Sequence, residues 1–257
     1  MHYPVDSRED VRTASSRAHP APGLALVIGA GGGLGAAMLA QLSSTAGESG
    51  PCQTVLGLSR SSHPAIDYAD EASIEGAAAW LACECAHRQL EYRLLVVASG
   101  FLHGDPGQPE RSWSQLDAGY LHHVFRINAI GPALVMKHFL PLFPRQGRCV
   151  AAFVSARVGS IGDNALGGWY GYRASKAALN QLVKTAAVEL TRRNRQSVCV
   201  ALHPGTVQTG LSQPFAKTGL SVRSPEVAAQ ELLGVLAGLG PADTGSFRDY
   251  RGHCLPW

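Results

Sequence analysis

A single α/β domain, with a doubly wound parallel sheet covered by helices on both faces, is predicted by three features of the sequence. Short, wholly apolar runs alternate with amphipathic helical stretches along most of the chain, the pattern of strands buried on two faces and joined by crossover helices. The first apolar run leads into glycines at 29, 31, 32, 33 and 35, and then into an alanine-rich stretch. No internal repeat or linker divides the alternation, and 257 residues with 46% hydrophobic content suffice for one large core.

Leu24–Ile28 in "LALVI" reads as a buried first strand, and the glycines after it allow a tight turn before a helix that starts near Leu34. Strand, glycine turn and helix form the layout of a dinucleotide phosphate site. Unpaired N–H groups at a helix N-terminus can approach a pyrophosphate where no side chain intervenes. "QTVLGLSR" is the second strand. "ADEASIEGAAAWLACECAHRQL" is a helix with Ile74, Ala78, Leu81 and Cys85 on one stripe, and "YRLLVVASG" is a strand ending in small residues. "WSQLDAGYLHHVFRINAIGPALVMKHFLPLF" reads as one long helix halted near Pro141. "RCVAAFVSARVG" is a strand. "GGWYGYRASKAALNQL" opens the next helix, whose apolar stripe is Leu179, Leu182, Val183, Ala186, Ala187 and Leu190. "SVCVALHPG" is a strand, and in "SPEVAAQELLGVLAGL" Ser224 caps a helix that has Pro225 at its first position.

Within the helix that begins at "GGWYGYRASK", Tyr172 stands four residues before Lys176, so the two side chains share a face. Tyr170 stands six before it and points to the other side. A net charge of +3, in no basic block, excludes nucleic acid as the partner. No apolar run reaches the ~20 residues that a membrane span needs. The six cysteines, at 52, 83, 85, 149, 199 and 254, lack metal-site spacing and read as small buried hydrophobes in a reduced, cytoplasmic setting. The histidines show no metal-ligand spacing either, so no metal is expected. Residues 1–22 carry Asp6, Glu9 and Asp10 and no apolar centre, and read as a flexible leader rather than a signal or transit peptide.

With the glycine turn and "YRASK" in place, residues 23–257 resemble the short-chain dehydrogenase/reductase family. Its TGxxxGxG motif appears as "IGAGGGLG", with Gly29, Gly33 and Gly35 in register, and its YxxxK motif as Tyr172 and Lys176. Its mid-helix asparagine is matched by Asn128 in "RINAIGPAL". The turn after its sixth strand is matched by "PGTVQT", with Pro204, Gly205, Val207 and Thr209. The segment "SARVGSIGDN…GGWYGYRASKAALN" and the ending "FRDYRGHCLPW" resemble the branch that holds C-factor-like proteins and sniffer-type carbonyl reductases.

The resemblance implies a Rossmann-type fold and hydride transfer between nicotinamide and the carbonyl or alcohol carbon of a small molecule. A carbonyl gaining hydride develops negative charge on oxygen and needs a proton donor within ~3 Å. A free tyrosine, with a pKa near 10, gives up its proton reluctantly, and an ammonium one turn away favours the phenolate. Tyr172 is thus the acid/base. Lys176 supplies the charge and binds the nicotinamide ribose, while Tyr170 lines the pocket mouth. Asn128 holds a water that links the lysine to solvent. The family's catalytic serine slot holds Ala156, so Ser155, one residue away, is the first candidate for that role and Ser160 the second.

For the cofactor, Gly29, Gly33, Leu34 and Gly35 would face the pyrophosphate. Ser99 and Gly100 would let it lie close, and Pro204, Gly205, Val207 and Thr209 would close over it. Asp67 matches the family's adenine-site aspartate, with Tyr68 beside it. The second strand ends in Ser59 and Arg60, with no carboxylate for the ribose hydroxyls. A guanidinium suits a 2′-phosphate, so NADP(H) is expected over NAD(H). Residues 210–221 have the composition of the family's substrate flap. The helices over 112–141 and from Tyr170 onward are the faces by which the family associates, implying a homodimer or homotetramer. A second reading is a nucleotide-binding signalling or regulatory protein of C-factor type with weak or no turnover, in keeping with Ala156 and with Ala98, which stands in "VASG" where the family often has an asparagine.

Overall fold

The computed structural model describes residues 22–47, 52–211 and 222–257. The expected leader, up to residue 21, and residues 212–221 of the expected flap lie outside the described residues.

Six parallel strands form the main sheet: β1 (Gly23–Ile28), β2 (Thr54–Leu58), β3 (Glu91–Val97), β4 (Cys149–Val154), β5 (Ser197–His203) and β8 (Phe247–Asp249), in the order β2-β1-β3-β4-β5-β8. Two residues each of β6 (Thr206–Val207) and β7 (Val222–Arg223) pair separately. The alternation of side chains along each strand explains the two layers of helix. In β4, Cys149, Ala151 and Phe153 join one core cluster and Val150, Ala152 and Val154 the other. The first cluster packs beneath α2 (Glu71–Arg88), α4 (Gly131–Phe139) and α5 (Tyr170–Arg193), the second beneath α1 (Gly33–Ser44) and α6 (Pro225–Gly238). Strands with both faces buried must be apolar throughout, as the sequence shows.

Caps fix where the helices start. Asp70 accepts from Ala72 N–H ahead of α2, and Ser224 accepts from Val227 N–H ahead of α6, with Pro225 in the first turn. The expected stripe of α2 buries Ile74, Ala78 and Leu81, and Cys85 is half-buried. Cys52, Cys149 and Cys199 are buried as expected, whereas Cys83 and Cys254 are exposed; all six are free thiols.

Two expectations are corrected. The single long helix over 112–141 is in fact α3 (Ala118–Phe125), a π-helical segment (Arg126–Ile130) and α4, flanked by short 3-10 turns. Asp117 caps α3 by accepting from Tyr120 N–H at 2.7 Å, so the helix starts there. Pro132 lacks the N–H that would serve the carbonyl of Asn128, and the ladder shifts register just before it. Second, "PGTVQT" follows the fifth strand rather than a sixth. Between Leu58 and Glu71 the chain is loop, held by Ser62 Oγ, which donates to the carbonyls of Ser59 and Pro64 and accepts from Ser59 N–H. That leaves β2 as the sheet edge.

Among the described residues no helix is long and apolar enough to cross a membrane, and no group of His, Cys, Asp or Glu could hold a metal.

Candidate active site

The carboxyl ends of β1 to β5, with the π-helical segment and the start of α5, bring the candidate residues to one edge of the sheet, where doubly wound folds bind their ligands. After β1, Gly29 adopts φ +89°, and a β-carbon there would lie 2.7 Å from Ser99 N. One on Gly35 would lie 2.2 Å from Gly29 O. The turn, the start of α1 and the end of β3 therefore approach as closely as backbone allows. Gly32, the N-cap of α1, has no side chain to accept from the first-turn N–H groups, and that turn holds no acidic residue. These free donors suit a pyrophosphate. Leu34 offers its N–H here while its side chain is buried beside Met38. Thr209 reaches the same turn: a β-carbon on Gly33 would meet its Cγ2 at 3.0 Å. Gly205, with φ +74°, turns the chain between Pro204 and Val207, the latter buried.

At the end of β2, Ser59 packs against Gly31. Arg60 is exposed and makes no hydrogen bond or ion pair among the described residues. Asp67 is exposed and accepts from Ala69 N–H. The Tyr68 ring occupies the space a β-carbon on Gly131 would take, 2.2 Å away, and its hydroxyl is 2.7 Å from Ser99 Oγ. Burial pushes that phenol up to about 12.

Deeper in, Tyr172, Lys176 and Asn180 lie along one face of α5, all nearly buried. Lys176 Nζ sits 5.9 Å from the centre of the Tyr172 ring and donates to Val154 O at 3.0 Å. Burial lowers the ammonium to about 8 and raises the phenol well above its usual range, with Tyr120 nearby adding to the rise. The Tyr172 hydroxyl has no hydrogen-bond partner among the described residues. Gly100 lies between the neighbouring groups: its β-carbon position is 3.6 Å from Lys176 Nζ and 3.7 Å from Asn128 Oδ1. Asn128 is fully buried; its Oδ1 accepts from Phe101 N–H, and its Nδ2 donates to Phe101 O and Ser175 Oγ. It thereby ties the π-helical segment to the loop after β3 and to α5. That anchoring supplies a use for the register shift.

The two serine candidates are committed elsewhere. Ser155 donates to Asn180 Oδ1 at 2.7 Å, two turns along α5 from Tyr172, about 12 Å of helix. At the strand end its side chain turns toward α5 and Asn180. Ser160 donates to Trp257 O and accepts from Asp163 N–H. Tyr170 lies off this face, in a groove of about 530 Å³ with Ser160, Ile161, Arg173 and Ala174. Asn180 was not anticipated, although its spacing of four beyond Lys176 continues the Tyr172–Lys176 stripe.

Residues 61–229 match the profile of the family described as enoyl-(acyl carrier protein) reductase. The C-signal protein of Myxococcus xanthus is 38% identical over 142 residues, 55% of this chain and 81% of that one. A 1-hydroxy-2-glutathionyl-2-methyl-3-butene dehydrogenase from Rhodococcus sp. strain AD45 is 30% identical over 194 residues, 76% of this chain and 79% of that one. Among solved structures, a Burkholderia multivorans short-chain dehydrogenase/reductase with bound NADP is 26% identical, with a TM-score of 0.71 over 93% of this chain and 100% of that one.

Proposed function

The chain belongs to the short-chain dehydrogenase/reductase family of NAD(P)-dependent oxidoreductases, and from that premise we propose that it is an NADP(H)-dependent carbonyl reductase with Tyr172 as its proton donor. The observation that carries this reading is the Tyr172 hydroxyl, unpaired among the described residues and one helical turn from a buried lysine beside Gly100. The donor set fits a dinucleotide: a side-chain-free helix N-terminus for the pyrophosphate, and a free guanidinium at the end of β2 for a 2′-phosphate. Gly29, Gly33, Leu34, Gly35 and Thr209 would hold the pyrophosphate. Ser59 and Arg60 would hold the adenosine ribose and its phosphate, Asp67 and Tyr68 the adenine edge, and Ser99, Gly100, Pro204, Gly205 and Val207 the remainder. The bound cofactor supplies a hydride.

The chain's own residues handle the proton. Tyr172 donates it to the substrate oxygen as negative charge develops there. Lys176 stabilises the phenolate that remains, and its position beside Gly100 suits the nicotinamide ribose. Asn128 retains one acceptor lone pair for a water leading from the lysine to solvent. Ser155, committed to Asn180, anchors α5 instead of serving as a second donor. The likeness to C-signal and the alanine at 156 favour a second reading, a nucleotide-binding regulatory protein with weak turnover.

NADPH consumption measured across aldehydes, ketones and quinones separates the two, since only the first reading predicts substrate-dependent turnover. The cofactor arm is tested by Arg60→Ala. A guanidinium–phosphate contact is worth on the order of 1.5–3 kcal/mol, roughly tenfold to a hundredfold in affinity. The variant should lose that much for NADPH and almost nothing for NADH. Equal kcat/KM for the two cofactors in the wild type, or an unaltered preference in the variant, would refute the assignment.

A further inference from the structure

Gly167, Gly168 and Trp169, just ahead of α5, have φ of +64°, +65° and +53°. Left-handed residues normally occur singly, because a β-carbon there crowds the next carbonyl. Glycine escapes that cost and tryptophan does not. Gln89, the other described non-glycine with positive φ, ends α2, where helix C-termini favour this conformation. Trp169 instead precedes a helix, at the N-cap, where extended backbone is the rule.

The chain holds this turn from two sides. Arg173 donates from Nε to Gly168 O at 2.9 Å, from Nη2 to Gly167 O at 3.1 Å and from Nη1 to Val158 O at 3.3 Å. Glu110, only 2% exposed, accepts from Trp169 N–H at its carbonyl and from Gly171 N–H at its carboxylate. The turn sets the indole edge-on to the Tyr172 ring, with centres 6.2 Å apart and planes at 79°. Trp169 is half-buried. Nearby, Phe101 is partly exposed and tilts against Tyr120, and Leu211 closes on Gly100 to 3.7 Å from its β-carbon position. Around the Tyr172 ring lie the Trp169 indole, Tyr120 and the Lys176 ammonium.

We infer that Trp169 determines specificity, its indole forming an aromatic wall of the carbonyl site that selects flat, unsaturated aldehydes and ketones over saturated ones of equal size. This rests on the reading of Tyr172 as the proton donor. A planar aryl ring can stack on an indole or meet it edge-on, gaining from the ring quadrupoles. A puckered saturated ring is thicker and lacks that interaction.

Benzaldehyde and cyclohexanecarbaldehyde, equal in carbon count, provide the test. With NADPH, the wild type should favour benzaldehyde in kcat/KM, and Trp169→Gly should cut the aryl-to-saturated ratio roughly tenfold. Glycine keeps the left-handed turn, so the variant's Tm should stay within a few degrees of the wild type, and Trp169→Phe should restore part of the ratio. A wild type without preference, or a ratio that Trp169→Gly leaves unmoved while Tm falls, overturns the proposal and assigns Trp169 a structural role. If neither aldehyde is turned over, calorimetric titration of both into NADPH-loaded Tyr172→Phe protein decides. Tighter benzaldehyde binding that disappears with Trp169→Gly sustains the wall, and equal binding overturns it. Failure of the underlying reading shows separately, as wild-type turnover by Tyr172→Phe.

Discussion

Lys176 is where burial and chemistry oppose each other most directly. Its ammonium is nearly buried, with Val154 O as its hydrogen-bonded acceptor, and burial lowers its pKa from 10.5 to about 8. An unfolded lysine keeps its proton to higher pH than this folded one, so between those values the unfolded chain binds more protons and stability rises with pH. Relative to Lys176→Met, the wild type should therefore gain up to about 3 kcal/mol between pH 7 and 10.5. Denaturant unfolding at a series of pH values reads this, and a difference independent of pH would show that the lysine is not desolvated. The shared face of Tyr172 and Lys176 and the mid-helix place of Asn128 were legible in the sequence because their evidence is local: a spacing of four, and an asparagine in a recognisable stretch. The serine was not. Which way Ser155 turns at the end of β4 depends on Asn180, 25 residues on, and no local pattern encodes that pairing.

At the scale of elements, strands and caps follow from period and composition, and departures arise where a side chain reaches another element. The π-helical segment between α3 and α4 exists beside Pro132 and is fastened by Asn128 to the loop after β3. The two glycines of "GGW" hint at a turn before α5, but a tryptophan continuing it depends on Arg173 and Glu110. Between α4 and α5 runs an apolar groove of about 460 Å³, lined by Phe125, Ile130, Leu134, Ala178 and Leu182, with Ile130 51% exposed. An apolar strip of this kind on the expected association faces supports a dimer or tetramer. Light scattering should give a multiple of the 27.1 kDa chain mass, moving toward the monomer in Ile130→Glu. A mass near 27 kDa across a wide concentration range would reject it.

For the whole molecule, the doubly wound plan was readable because the central strands β1, β4 and β5 are buried on both faces and their apolar runs show it. The resemblance implied a sixth strand before "PGTVQT", whereas the chain's own apolar runs number five there, and the serine-rich loop after β2 is held by side-chain hydrogen bonds instead. What the plan achieves is convergence: the glycine turn after β1 and, from α5, a buried lysine and an unpaired phenol meet at one edge of the sheet. If that edge is a carbonyl-reducing site, one atom, the Tyr172 hydroxyl oxygen, must matter more than any other there. Phenylalanine fills the same space and cannot donate a proton. The most direct measurement pairs the NADPH-dependent reduction rate of Tyr172→Phe with its NADPH affinity by calorimetry. The account predicts a loss of roughly a hundredfold to ten-thousandfold in kcat with cofactor affinity retained. A variant that keeps the wild-type rate would contradict it.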